Sequence, residues 1–332
     1  MTRVAVLGAG SWGTTLANLL AGKGEQVRLW AYEAEVVEAV NRRHENPLYL
    51  PGIRLAAGLE ACGDSRQAVA DAAVIVSAAP SHAVRRVISG IQGSVQAGTL
   101  VVSATKGIEP DTLAFMSTII NQCLPESRFA ALSGPSFAQE VCQGHPTLVV
   151  AAARSTETAR DAQRVFATPT FRVYSHDDVL GVELAGALKN VIAIAAGILD
   201  GLGMGHNSRA ALITRGLAEI TRLGTALGAK PVTFAGLAGM GDLILTATGD
   251  LSRNRSLGLA LARGETLEQY RATHRGIAEG ANTSKAGAAL GARAGVELPI
   301  IEKVGDVLFN GKPARDAVAE LMARELKSEQ WR

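Results

Sequence analysis

The chain has 332 residues, of which 33 are basic and 31 acidic, giving a formal net charge of +2. That balance offers no electrostatic ground for nucleic-acid or membrane-surface binding, and at 4% aromatic content there is little on which bases could stack. At 47% hydrophobic residues the chain can bury sizeable cores, in roughly two domains of about 100–200 residues each.

In chain order, a short apolar run over 4–7 reads as a strand. Directly behind it stands Gly8-Ala9-Gly10-Ser11-Trp12-Gly13. This G-x-G-x-x-G turn leads into an amphipathic helix over 14–20, and a second strand over 26–30 follows at βαβ distance. The spacing has a physical reason. Gly8 permits the tight turn, Gly10 lets backbone approach a pyrophosphate, and Gly13 lets helix and strand pack closely. The helix then points its first N–H groups at the anion. Alone the motif is weak, because glycine turns also serve packing; between a strand and a helix it predicts a dinucleotide site.

The alternation continues. Strands are expected over 73–78, 100–103, 129–132, 147–152 and 171–174. Helices are expected over 34–42, 82–91, 112–123, 138–143 and 156–166. Strands alternating with helices predict an α/β, Rossmann-like doubly wound sheet, mostly parallel. The sequence leaves open whether the later strands run antiparallel. Past His176-Asp177-Asp178 the pattern turns all-α, with helices expected over 179–199, 209–227, 255–263, 266–271, 282–294, 300–309 and 314–323. The expected division is a dinucleotide-binding domain over 1–177 and a helical substrate-binding domain over 178–332.

Three cysteines, Cys62, Cys123 and Cys142, are scattered without a C-x-x-C, which fits a reducing compartment. The N-terminus opens into a strand rather than a leader. The longest apolar stretch, 191–199, is too short to cross a bilayer. A cytoplasmic, soluble protein is expected. The six histidines show no metal-ligand spacing, so no metal is expected.

Ligands of such sheets bind outside the carboxyl ends of the strands, so the residues behind each strand are the candidates. Ser81, behind the strand over 73–78, reads as a helix cap. Lys106 follows the strand over 100–103, where it could meet a substrate oxygen or be an ordinary loop lysine. Ser133-Gly134-Pro135-Ser136-Phe137-Ala138 follows the strand over 129–132. Between 179 and 199 the only charged residues are Glu183 and Lys189. Lys189 is either snorkelling at a domain edge or functional; burial lowers a lysine's pKa and suits proton transfer. Asn190 is a further polar group beside it. Asp242, in Gly239-Met240-Gly241-Asp242-Leu243, is an orienting carboxylate or a helix cap. Ser252-Arg253-Asn254 opens a helix, either as a solvated basic turn or as a phosphate site.

In this order the motifs resemble the bacterial-type NAD(P)-dependent glycerol-3-phosphate dehydrogenases, essentially end to end. The resemblance rests on the glycine turn, Pro80-Ser81-His82, Lys106-Gly107, the run from Ser133 to Ala138, Glu183, Lys189-Asn190, Asn207 with Arg209-Ala210-Ala211-Leu212, Gly241-Asp242-Leu243, Arg253-Asn254 and Glu279-Gly280. It implies reversible reduction of dihydroxyacetone phosphate to sn-glycerol 3-phosphate for phospholipid synthesis, by a homodimer. It implies Lys189 as acid/base, with Lys106 and Asp242 beside the reacting carbonyl. Arg253 and Asn254 become the phosphate clamp, with Gly134, Ser136, Asn190, Thr246 and Ser252 completing the substrate site. Gly8, Gly10, Ser11, Trp12, Gly13, Tyr32, Lys106, Ala138, Arg253, Ile277 and Glu279 become cofactor contacts. The second strand ends Trp30-Ala31-Tyr32-Glu33, without the usual ribose-binding acid at Ala31, which leans toward NADPH with NADH also accepted. Two alternatives stand beside this reading: a related 3-hydroxyacid dehydrogenase or ketopantoate-type reductase, and a nucleotide-sensing protein without turnover.

Overall fold

The computed structural model describes residues 1–274, 278–326 and 328–329. Ten strands form in the first half: β1 (Arg3–Leu7), β2 (Gln26–Trp30), β3 (Glu45–Asn46), β4 (Leu50–Arg54), β5 (Leu59–Cys62), β6 (Val74–Ser77), β7 (Leu100–Ser103), β8 (Arg128–Ser133), β9 (Thr147–Ala152) and β10 (Phe171–His176). Between them lie α1 (Ser11–Gly22), α2 (Ala34–Arg43), α3 (Ser65–Val69), α4 (Val84–Gly90), α5 (Met116–Cys123), α6 (Ala138–Cys142) and α7 (Thr156–Phe166). Helices alone follow: α8 (Val179–Gly201), α9 (Gly205–Ala226), α10 (Pro231–Phe234), α11 (Asp242–Thr248), α12 (Arg253–Ala262), α13 (Leu267–Thr273), α14 (Glu279–Ala294), α15 (Pro299–Phe309) and α16 (Ala314–Met322).

Eight strands make one sheet in the order β10-β9-β8-β7-β6-β1-β2-β5, and β3 and β4 form a separate hairpin. Every pair in the sheet is parallel except β8–β9. The buried runs of β1, β6 and β7 follow from this. A parallel strand is covered on both faces, so its residues read as continuous apolar runs. Val4, Val6, Val76 and Val102 pack on one side, while Ala5, Leu7, Ile75 and Val101 pack on the other against α4 and α5.

The sequence missed β3, β4, β5, α3, α10 and α11. Pro47, Pro51 and Gly52 break the hairpin's periodicity, and β5 is a four-residue edge strand. The first helix expected from 112 begins only at Met116. The helices expected from 209, 255 and 282 begin earlier, at Gly205, Arg253 and Glu279.

In the helical half, α9, α11, α12 and α14 pack around α8. Against the expectation of a stretch too short to cross a bilayer, α8 is long and apolar enough by length and composition, yet its apolar window is wholly buried, as a helix apolar on all sides is in a protein core. The α8–α12 contact is a backbone-to-backbone approach. A Cβ on Gly197 would lie 2.1 Å from the Arg255 carbonyl, and one on Gly258 would lie 2.1 Å from the Ile194 carbonyl. Only glycine permits this spacing, and it brings the first turn of α12 beside Asn190.

Candidate active site

The strand order reverses around β1, which lies between β2 and β6. Ligands of open α/β sheets bind at such a switch point, and the glycine turn sits there. Gly8 has φ +116°, and a Cβ on it would meet the Ala78 carbonyl at 2.9 Å. A Cβ on Gly13 would lie 1.9 Å from the Gly8 carbonyl. Gly10 faces open space. It caps α1 without a side-chain bond, and the first turn carries no acid. Among the described residues the first N–H groups of α1 therefore have no side-chain acceptor, which fits a dinucleotide pyrophosphate.

The remaining cofactor candidates sort less simply. The Ser11 hydroxyl donates to the Tyr49 carbonyl at 2.5 Å, tying α1 to the hairpin. The Trp12 ring lies near Phe171, and its buried indole N–H has no partner among the described residues. The Ala138 carbonyl accepts from Thr15 at 3.3 Å, which holds α6 beside α1. Ile277 lies outside the described residues. Ala31 is fully buried and its N–H donates to the Cys62 carbonyl. The expectation that an acid at Ala31 would face a ribose is therefore corrected: that side chain points into the core. Tyr32 is 80% exposed, and Glu33 accepts from the Tyr49 hydroxyl at 2.7 Å.

Behind β7, β8 and α8 a charged cluster forms. The Lys189 ammonium donates to Asp242 Oδ1 at 2.6 Å and to the Thr246 hydroxyl at 2.6 Å. Lys106 donates to Asp242 Oδ2 at 2.6 Å and to the Gly134 carbonyl at 3.1 Å. Ser136 donates to that same carbonyl at 3.0 Å. Asp242 follows a π-helical turn, Leu237–Gly241, as the first residue of α11. Thr246 is one helical turn on, so both side chains share a face. Its hydroxyl donates back to the Asp242 carbonyl at 2.7 Å and offers its lone pair to Lys189. Asp242 is not a helix cap; its carboxylate is engaged by the two lysines.

Lys189 is 6% exposed and Asp242 1%. Burial pushes the Lys189 pKa down to about 8, against the pull of the Asp242 charge, and the neighbouring Lys106 adds to the depression. For Asp242 burial acts the other way, but two ammonium groups outweigh it and hold the carboxyl below its ordinary value. Two ammoniums on one carboxylate leave the cluster with an excess positive charge. Such a cluster stabilises an oxyanion forming beside it.

Next to it, Asn254 Nδ2 donates to Asn190 Oδ1 at 3.0 Å, and the Gly280 N–H donates to Asn254 Oδ1 at 3.0 Å. Ser252 caps α12 by accepting from the Arg255 N–H at 3.2 Å. No acid occupies that helix's first turn, and Arg253 stands exposed at its start. A cation at a helix N-terminus is suited to a phosphate.

Sequence reasoning misread Ser81. Pro80, not Ser81, caps the short helical turn behind β6. The Ser81 hydroxyl instead donates to Glu279 Oε2 at 2.6 Å, and its N–H donates to Oε1 at 3.2 Å. Its place directly behind a strand's carboxyl end was the available signal.

The chain matches two family models: NAD-dependent glycerol-3-phosphate dehydrogenase N-terminus over residues 3–159 and the C-terminus of the same family over 178–319. It is 55% identical over 330 residues to a Geobacter sp. (strain M21) protein named glycerol-3-phosphate dehydrogenase (NAD(P)+), covering 98% of each chain. The Geobacter sulfurreducens protein of that name is 54% identical over 332 residues, with 99% of each covered. Among solved structures, glycerol-3-phosphate dehydrogenase from Coxiella burnetii superposes with a TM-score of 0.93 at 39% identity, over 97% of this chain and 98% of that one.

Proposed function

The chain belongs to the NAD-dependent glycerol-3-phosphate dehydrogenase family, and from that premise we propose that Lys189, Asp242 and Lys106 carry its chemistry. It is an NAD(P)-dependent oxidoreductase that reversibly reduces dihydroxyacetone phosphate to sn-glycerol 3-phosphate, the step that supplies phospholipid synthesis in this family. NADH or NADPH supplies the hydride. The alternatives of a related hydroxyacid or ketopantoate-type reductase, or of a sensor without turnover, fall to the end-to-end match.

The observation that carries the assignment is the Lys189 ammonium, buried and held at 2.6 Å by both Asp242 and Thr246. Lys189 directs a proton at the substrate carbonyl oxygen as charge develops there. Asp242 keeps Lys189 charged and aimed. Lys106 adds positive charge on the opposite oxygen of Asp242. Arg253, Asn254 and the first turn of α12 hold the phosphate, with Ser252, Asn190, Gly134 and Ser136 around them. Fixing the phosphate orients the carbonyl, and orientation supplies much of the rate. The free N-terminus of α1 holds the pyrophosphate, with Gly8, Gly10, Ser11, Trp12, Gly13, Tyr32, Ala138, Glu279 and Ile277 as the wider cofactor set.

We further infer a dinucleotide-binding domain over 1–177 and a helical one over 178–332, supported by strands that end at His176 and family matches that divide near the same point. A homodimer working in the cytoplasm completes the reading and rests on the family alone.

The test follows nicotinamide absorbance with dihydroxyacetone phosphate and each cofactor. Rapid oxidation of NADPH or NADH that depends on the phosphorylated ketone is expected. No turnover with either cofactor would overturn the function.

A further inference from the structure

Four hydrogen bonds run in line from the cofactor half of the molecule to the substrate clamp. Ser81 holds both oxygens of Glu279. Glu279 is the first residue of α14, so fixing its carboxylate fixes the next residue, Gly280. The Gly280 N–H meets Asn254 Oδ1 at 3.0 Å, and Asn254 Nδ2 meets Asn190 Oδ1 at 3.0 Å. The fit around this chain is tight. A Cβ on Gly107, the residue after Lys106, would lie 2.5 Å from Ser81 Cβ and 3.3 Å from Glu279 Oε2. A Cβ on Gly280 would lie 2.6 Å from the Asn190 carbonyl.

The chemistry of these groups gives the chain a direction. A side-chain amide can present either its oxygen or its nitrogen to a ligand, and the choice is set by its fixed neighbours. A backbone N–H can only donate. Gly280 therefore obliges the Asn254 oxygen to face it. The Asn254 nitrogen is turned toward Asn190, with one N–H left over. Turned this way, Asn254 shows a phosphate a donor and never a lone pair.

Resting on the function proposed above, we propose that Ser81 is a positioning residue for phosphate specificity: through Glu279 and Gly280 it locks the Asn254 amide with its donor toward the substrate phosphate. Ser81 acts from the opposite half of the molecule and touches no part of the clamp itself. Without its hydroxyl the Glu279 carboxylate keeps only the backbone N–H of position 81, Gly280 is free to shift, and Asn254 is free to present its oxygen. An oxygen there repels a phosphate. It has no such effect on an unphosphorylated ketone.

The experiment compares Ser81→Ala with the parent in the full-length enzyme, using NADPH and two substrates, dihydroxyacetone phosphate and dihydroxyacetone. For the phosphorylated substrate KM should rise about tenfold with kcat within about threefold, the tenfold corresponding to 1.4 kcal/mol. For dihydroxyacetone kcat/KM should stay within about twofold. A second arm places Ser81→Ala on an Asn254→Ala background. There its effect on KM should shrink to less than about twofold, because the residue through which it acts is gone. Equal losses on both substrates, an unchanged KM, or the same tenfold loss in both backgrounds would each overturn the proposal while leaving the function intact. A parent enzyme that does not reduce dihydroxyacetone phosphate would overturn the function and this proposal with it.

Discussion

The Lys189 ammonium and the Asp242 carboxylate meet at 2.6 Å although 53 residues separate them in the chain. Both are buried, and the pair sits where burial lowers the lysine to about 8. The sign of its pH dependence follows. Reduction needs Lys189 protonated, so kcat for ketone reduction should be flat below about pH 7 and fall as pH passes through about 8. Alcohol oxidation needs the neutral amine and should rise through the same region. The Asp242 charge favours the ammonium, so Asp242→Asn should move both inflections to lower pH. Profiles without an inflection in this range, in both directions, would remove Lys189 from the proton transfer.

Lys189→Ala should lower turnover by about 10²–10⁴-fold, the span that general acid–base catalysis supplies. Its effect on NADPH affinity, read by fluorescence titration, should be under about threefold, because the glycine turn before α1, proposed to hold the cofactor, is a separate element. Turnover within tenfold of the parent would show that another group donates the proton.

Arg253 stands at the first turn of α12, which carries no acid of its own. A charge-assisted contact to a phosphate is worth about 1.5–3 kcal/mol. Arg253→Ala should therefore raise KM for dihydroxyacetone phosphate by an order of magnitude or more. An unchanged KM would put the phosphate elsewhere.

Cofactor choice should respond to Tyr32 and not to Ala31. Tyr32 is exposed behind β2, whereas Ala31 is fully buried. An arginine at position 32 adds a cation that can reach a ribose phosphate, so Tyr32→Arg should raise the NADPH/NADH ratio of kcat/KM by at least about fivefold. Ala31→Asp should chiefly lower the melting temperature, because it buries an unpaired carboxylate. If the cofactor ratio shifts in Ala31→Asp while stability holds, the exposure argument fails.

Glu183 gives a stability prediction. It is buried on α8 and accepts from the Ser117 N–H at 2.8 Å and the Ser117 hydroxyl at 2.5 Å, tying α8 to the first turn of α5. Burial raises its pKa from 4.5 to about 7 despite the Ser117 bonds, which lower it. With the folded value above the unfolded one, its contribution is fully present below the unfolded value and is lost as pH rises to about 7. Glu183→Gln abolishes that titration. The variant should lose less stability than the parent between about pH 5 and about pH 8, as chemical denaturation at each pH would read. Parallel pH dependences in the two proteins would show that Glu183 does not titrate in this range.

Much of this protein was written along the chain. The strands β1, β6, β7, β8 and β9 and the long helix α8 were legible because burial on both faces demands apolar runs, β2 and β10 because one buried face imposes alternation, and Gly8, Gly10 and Gly13 because their spacing serves one turn. Lys189 stood out as one of two charges between 179 and 199. What the chain could not show was partnership. Asp242 read as a helix cap or as an orienting carboxylate, and Ser252-Arg253-Asn254 as a solvated basic turn or as a phosphate site. Packing made Ser252 a cap and gave Asp242 to two lysines, through a π-helical turn that no periodicity announces. Ala31 looked like the ribose position by counting from the glycines, and only the pairing of its N–H with the Cys62 carbonyl at the end of β5 turned it inward. Ser81 and Glu279 are 198 residues apart. Local pattern determines which residues are apolar, polar or able to turn. Which charges meet depends on how two halves of the chain pack, and hydrogen bonds across that contact leave no period in the sequence.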